Sequence, residues 1–192
     1  MQTVFLTGLI GSGKSAVGAL LRERGIPVYD SDIRTKALYD EQPDLAAALE
    51  KALGLPLRAA DGHLDRKALA AVIFRDSKAR EAVEALVYPA VLEDFLRWRD
   101  AQKEVPFVVL ESAVILSKPI FGGLADRVVL VTAPRDVRLR RVMVRDGVSA
   151  EAVLRRMDAQ QMPMDAIDTV IENDGTPEEL RAAVERVFFF KK

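Results

Sequence analysis

The 192 residues, 49% of them hydrophobic, are enough for a sizeable buried core and fit one α/β domain with a small inserted subdomain. The 28 basic and 29 acidic side chains nearly cancel to a net charge of -1, which argues against a general nucleic-acid binder and against a protein held on a membrane by a basic field. The lack of cysteine excludes disulfides, thiolate metal sites and a cysteine nucleophile, and no apolar run approaches the ~18 residues of a membrane span, so a cytoplasmic protein, monomer or weak homo-oligomer, is expected.

At the N-terminus Val4-Phe5-Leu6 has no basic flank and runs straight into glycine, so Thr3 to Thr7 reads as a buried parallel strand and not as a signal peptide. Ala16, Val17, Leu20 and Leu21 then recur at helical spacing as far as Gly25, a C-cap candidate. Pro27-Val28-Tyr29 predicts a second strand that delivers Asp30-Ser31-Asp32 at its C-terminal end, the edge where open α/β sheets bind ligands. From 33 to 103 the pattern is helical. Leu38, Leu45, Leu49 and Leu53 line the first part, which Gly54 and Pro56 interrupt. A turn at Asp61-Gly62 leads to Leu64-Asp65-Arg66 and a helix carrying Leu69, Val72 and Ile73. Ser77 is the expected N-cap of a long helix with Val83, Leu86, Val87, Ala90, Val91, Phe95 and Trp98 on one stripe, kinked at Pro89. Strands are expected again at 107 to 110, 128 to 131 and 169 to 171, with an arginine-dense helical stretch from Arg135 to Arg156 and a last helix from Pro177 to Val187. The terminal phenylalanines 188 to 190 are expected to pack on the sheet. The fold class is therefore α/β, a three-layer doubly wound parallel sheet with a helical insertion over residues 33–103 and a helical lid over about 135–160.

The strongest signal is Gly8-x4-Gly13-Lys14-Ser15, which matches the Walker A spacing between a strand and a helix, the context that the motif requires. Gly8, Gly11, Ser12, Gly13 and Ala16 belong to a turn whose N–H groups form an anion nest at a helix N-terminus. Lys14 is expected to reach the β- and γ-phosphates, and Ser15 to offer its hydroxyl to Mg²⁺, so ATP and Mg²⁺ are the expected cofactors. Guanine specificity is not indicated, because the only asparagine, Asn173, is followed by Asp174-Gly175 and makes no Asn-Lys-x-Asp motif. Val108-Val109-Leu110-Glu111 imitates the strand and carboxylate of a Walker B motif, but the length favours a small-molecule kinase over a large ATPase.

Asp32 is the candidate base that accepts the proton of an attacking hydroxyl, and Asp30 a candidate for orienting Mg²⁺ through water. Capping of the following helix is the plainer alternative for both. Arg138, Arg141 and Arg145 fall at i, i+3 and i+7, on one helical face, as guanidiniums able to fork onto phosphate oxygens and shield them from water. A solvated helix is the competing reading, since Asp136 and Asp146 are close enough in sequence to pair with them. His63 is expected on the surface, and Arg66 as a substrate-anchoring cation.

Taken together these residues resemble the dephospho-CoA kinase family, from the N-terminus to about residue 187. The resemblance is carried by residues 8–15, by Val28-Tyr29-Asp30-Ser31-Asp32, and by Gly62-His63-Leu64-Asp65-Arg66 with Leu69, Phe74 and Asp76. It continues in Arg141 to Asp146, Arg156 with Gln160, and Asp168 to Gly175. It implies transfer of the ATP γ-phosphoryl group to the ribose 3′-hydroxyl of dephospho-CoA, with Asp32 as base, Lys14 and Arg141 in catalysis, Arg145 in the lid, and Leu64 and Arg66 on the acceptor. Residues 33–103 would then be the CoA-binding domain. The chain departs from the family pattern at Tyr88-Pro89, where His-Pro is usual, at Glu111 to Ser117, and in a short segment after Gln160. A kinase acting on shikimate, gluconate or nucleosides, and a catalytically weak nucleotide-binding module, are the alternatives that the residues leave open.

Overall fold

A computed structural model describes residues 1–190. They form two compact units, one of residues 1–30 with 102–190 and one of residues 31–101. Lys191 and Lys192 lie outside the described residues.

The first unit is built on five parallel strands, β1 (Gln2–Thr7), β2 (Val28–Asp30), β3 (Phe107–Glu111), β4 (Arg127–Thr132) and β5 (Thr169–Glu172), in the spatial order β2-β3-β1-β4-β5. Parallel strands need crossovers, and their apolar runs are buried on both faces. All five residues of β3 are buried, and so are Thr3 to Thr7 of β1. From β1 the chain moves outward to β2 on one side, and from β3 it crosses to β4 on the other. The reversal places the end of β1 at a switch point, where the ridge between diverging connections opens a crevice.

One face of the sheet is covered by helices α1 (Lys14–Glu23) and α8 (Pro177–Phe188). Val17, Leu21, Leu180 and Val184 from these helices join Val4, Leu6, Val109, Val129, Val131 and Ile171 from the strands in a single buried cluster. Helix α1 ends at Arg24, and Gly25 follows at φ 75°, a left-handed C-terminal turn that only glycine adopts without strain. Helix α8 begins with a reciprocal cap in which the Thr176 hydroxyl accepts from Glu179 N and the Glu179 carboxylate accepts from Thr176 N. Phe188 stacks on Phe107 at 5.8 Å and Phe189 lies against the same ring at 6.5 Å, so two of the three terminal phenylalanines do pack on the sheet. The arginine-dense stretch is two helices, not one. Helix α6 (Arg135–Asp146) stops at Gly147, left-handed at φ 65°, and α7 (Ala150–Asp158) starts from the Ser149 hydroxyl cap.

The second unit is wholly helical apart from one isolated bridge between Arg58 and Leu64. Helices α2 (Ser31–Glu41), α3 (Pro43–Leu53), α4 (Arg66–Arg75) and α5 (Ser77–Ala101) bury Leu38, Leu45, Leu49, Leu69, Val83, Val87, Val91 and Phe95 among themselves. One sequence expectation is corrected here. The cap of α5 is Asp76, whose carboxylate accepts from Lys78 N and Ala79 N, and not Ser77, which is already helical. Helix α5 runs on through Pro89, which is exposed. Among the described residues no helix is long and apolar enough to cross a membrane.

Candidate active site

The Walker loop turns between β1 and α1. Gly11 at φ 78° and Gly13 at φ 97° carry the two left-handed steps that bring its amides to one side. Gly13 is the N-cap of α1 and offers no side chain to satisfy the first-turn N–H groups, which leaves the positive end of the helix open to an anion. The N–H of Ala16, expected among the nucleotide contacts, is turned back to Gly13 O at 3.0 Å.

Close packing is a second reason for glycine in this loop, one that the motif alone does not reveal. A Cβ on Gly8 would collide with Val131 O, and one on Gly11 would come within 2.6 Å of Arg138 O and 2.9 Å of Val142 Cγ2. A Cβ on Gly13 would strike the amide of Asn173. That amide donates from Nδ2 to Ser12 O at 2.8 Å, and the asparagine is itself buried. Asn173 thus clamps the loop from the end of β5, while its own carbonyl accepts from the Arg141 guanidinium at 2.8 Å.

Beneath the loop, Ser15 Oγ donates to Glu111 Oε1 at 2.8 Å. The sheet register explains the contact, since the last residue of β3 lies beside Leu6, one strand over and two residues before the loop. Glu111 is 4% exposed, and its Oε2 has no hydrogen-bond partner among the described residues. Burial pushes its carboxyl above the usual carboxylate range; the Ser15 hydrogen bond and the positive charges of Lys14 and Arg22 oppose the rise, and Asp30 adds to it. Gly18 on α1 completes the fit, because a Cβ there would stand 2.6 Å from Glu111 Oε2. Ser12 Oγ is the other buried side-chain polar atom without a partner among the described residues. Two orphaned oxygens, one beside the loop amides and one on the carboxylate that holds Ser15, fit a site meant for a hydrated cation and phosphate oxygens.

Arg138, Arg141 and Arg145, three of the five arginines of α6, do not share one set of partners. Arg138 donates to Ala133 O at 3.0 Å and lies 3.5 Å from Ile10 O, and burial lowers its pKa, as does the charge of Arg135. Arg141 reaches Asn173. Arg145 instead binds Asp146, which also takes Arg156 at 2.8 Å and is held down to about 2 by the two guanidiniums. Seven residues along a helix is about 10 Å, far enough from the loop for a neighbouring carboxylate to capture the side chain.

In the helical unit Asp32 is exposed in the first turn of α2, one residue past Ser31, the first residue of the helix. Arg66 is engaged with the Asp40 carboxylate and donates to Lys36 O at 3.0 Å, and exposed His63 lies 3.4 Å from the same aspartate. Leu64 is buried in the core of this unit. Tyr88, where the family pattern has histidine, is half-buried with its pKa raised by burial and by the negative field of Glu84, Tyr39 and Asp32. Sequence reasoning met Glu111 as a Walker B imitation and a departure from the family pattern, Asn173 as a family match that makes no guanine motif, and Gln160 as a family match, and gave none of them a role at the loop. The glycine spacing signalled a loop that turns its amides inward, but not the neighbours that crowd it.

A Walker loop at a sheet switch point, with a carboxylate under its serine and a cationic helix alongside, is the architecture of the P-loop kinases. The chain belongs to the dephospho-CoA kinase family, whose sequence model matches residues 2–179. A dephospho-CoA kinase from Porphyromonas gingivalis is 43% identical over 84% of this chain and 78% of its own length. That from Geobacter sulfurreducens is 36% identical over 98% of both. The crystal structure of a Thermus thermophilus protein aligns with a TM-score of 0.82 and 37% identity, covering 97% of this chain and 95% of that one.

Proposed function

We infer that the protein transfers the γ-phosphoryl group of ATP to the ribose 3′-hydroxyl of dephospho-CoA, giving CoA and ADP, with Mg²⁺ bound at Ser15. The observation that carries the reading is the Ser15–Glu111 hydrogen bond of 2.8 Å under a glycine loop, with the second Glu111 oxygen left for a water of the cation. Mg²⁺, when bound, offsets charge on the phosphate oxygens. Lys14 and the amides at the start of α1 hold the triphosphate, and Arg138 and Arg141 exchange their main-chain carbonyl partners for phosphate oxygens as charge builds on them.

Asp32 accepts the proton from the 3′-hydroxyl as its oxygen bonds to the γ-phosphorus and the bond to the ADP oxygen breaks. Support for Asp32 comes from chain connectivity: two residues beyond Asp30, it lies within about 7 Å of the strand end that is in register with Glu111. The helical unit is the acceptor domain in this reading, with Arg66 exchanging Asp40 for a phosphate of the acceptor. Helices α6 and α7 with the segment to 160 form the lid.

The test is incubation of the purified chain with ATP, Mg²⁺ and dephospho-CoA, with CoA and ADP measured together. Stoichiometric CoA and ADP are expected. Folded protein that makes no CoA, yet consumes ATP with shikimate, gluconate or a nucleoside, would replace the acceptor in this account.

A further inference from the structure

We propose that Ile10 and Gln160 are positioning residues that dock the lid on the phosphate loop and so set where Arg138 and Arg141 lie during phosphoryl transfer. Ile10 occupies one of the four unspecified positions of the Walker spacing, yet every part of it is engaged by the lid. Its side chain packs against the small cluster of Val142, Val153 and Met157 that joins α6 to α7. Its N–H donates to Gln160 Oε1 at 2.7 Å, and its carbonyl lies 3.5 Å from Arg138 Nη1. The next residue, Gly11, has no room for a Cβ because α6 main chain and Val142 stand against it.

Three buried residues, with Leu139, Met143, Val148 and Leu154 only partly covered around them, make a small core for fixing the orientation of a two-helix hairpin. The loop adds Ile10 as a further apolar member, and one polar bond across 150 residues of sequence sets the register. Gln160 is suited to this because it follows the end of α7, where its own N–H closes on Met157 O and the chain turns back toward β5. With the far end of the hairpin held there, Arg138 and Arg141 on α6 are pre-oriented and lose little freedom on meeting phosphate. The inference rests on the reading of those arginines as phosphate cations.

Gln160→Met keeps length and removes the acceptor, so it isolates the bond. Measured with ATP and dephospho-CoA, it should lower kcat about 10-fold while KM for ATP and the unfolding midpoint stay near wild type. Arg141→Ala should lower kcat about 100-fold in the wild type but only about 10-fold in the Gln160→Met background, because the guanidinium is already misplaced. Effects that multiply, or an unchanged kcat in Gln160→Met, overturn the proposal. Amide exchange at Ile10 reads the dock without any kinase chemistry: Gln160→Met should speed it about 10-fold or more, and unchanged exchange overturns the dock. If exchange accelerates and Arg141→Ala alone leaves kcat untouched, the dock stands, while its link to Arg141 and the phosphate role of that arginine both fall.

Discussion

At the phosphate loop and the strand end beneath it, two buried polar atoms are left short of partners, whereas in the helical unit of residues 31–101 the buried carboxylate of Asp94 is fully paired. Ser12 Oγ and Glu111 Oε2 have no partner among the described residues. Asp94, also buried, is bidentate to Arg34 at 2.9 and 3.0 Å, and the same guanidinium takes Glu41. Half-buried Asp65 and exposed Asp76 are likewise engaged, each closing the start of its helix. An unsatisfied buried oxygen costs the folded state, and a ligand recovers that cost; a satisfied one only supports the scaffold. The loop is therefore poised for a charged ligand. In the helical unit, Arg66 must first give up Asp40 to meet one.

The largest expected effect lies at Asp32, an exposed group of the helical unit with the base role in the chemistry proposed above. Asp32→Asn should lower kcat by about 10²–10⁴ with ATP affinity nearly unchanged, and a near-normal kcat in steady-state assays would remove it from that part. Lys14→Ala should lower kcat/KM by about 10²–10³ while the thermal unfolding midpoint holds, since the ammonium serves the phosphates and not the core. A large drop in the midpoint would show the lysine to be structural.

Glu111→Gln separates function from stability. Activity should fall about 10- to 100-fold, as for loss of a group that orients a metal ligand. Because burial raises the Glu111 carboxyl, the stability of its protonated form is fully present below the unfolded carboxylate pKa and is lost as pH rises through the folded pKa. The glutamine variant loses nothing in that window, so without nucleotide its advantage over wild type in unfolding midpoint should grow toward neutral pH. A constant or reversed difference would show that the buried carboxylate is no burden. The smallest effect on activity is expected from Asp94→Ala, which should lower stability by about 2–3 kcal/mol in denaturant unfolding while leaving kcat intact.

Much of this was legible in the chain. The parallel strands were visible because strands covered on both faces are continuously apolar, as 107 to 110 are. The helical unit was visible as a 3.6-residue stripe in which Leu45, Leu49, Val83, Val87 and Val91 are buried where spacing places them. Less visible were local choices between near-equivalent groups. Asp76 and Ser77 are adjacent cap formers, and only the backbone geometry decides between them. Arg138, Arg141 and Arg145 share a helical spacing, but their partners are a strand-end carbonyl, Asn173 and Asp146, which no periodicity encodes.

The sequence by itself determined the phosphate loop, because its glycines, lysine and serine act through backbone conformation and sit within eight consecutive residues. Only the tertiary structure decided what holds that loop in place. Glu111 lies 96 residues from Ser15, Gln160 lies 150 from Ile10, and Asn173 lies 161 from Ser12. Their meeting depends on the register of β3 and β5 beside β1 and β4 and on the return of the lid, long-range pairings that leave no periodic trace in the residues they join.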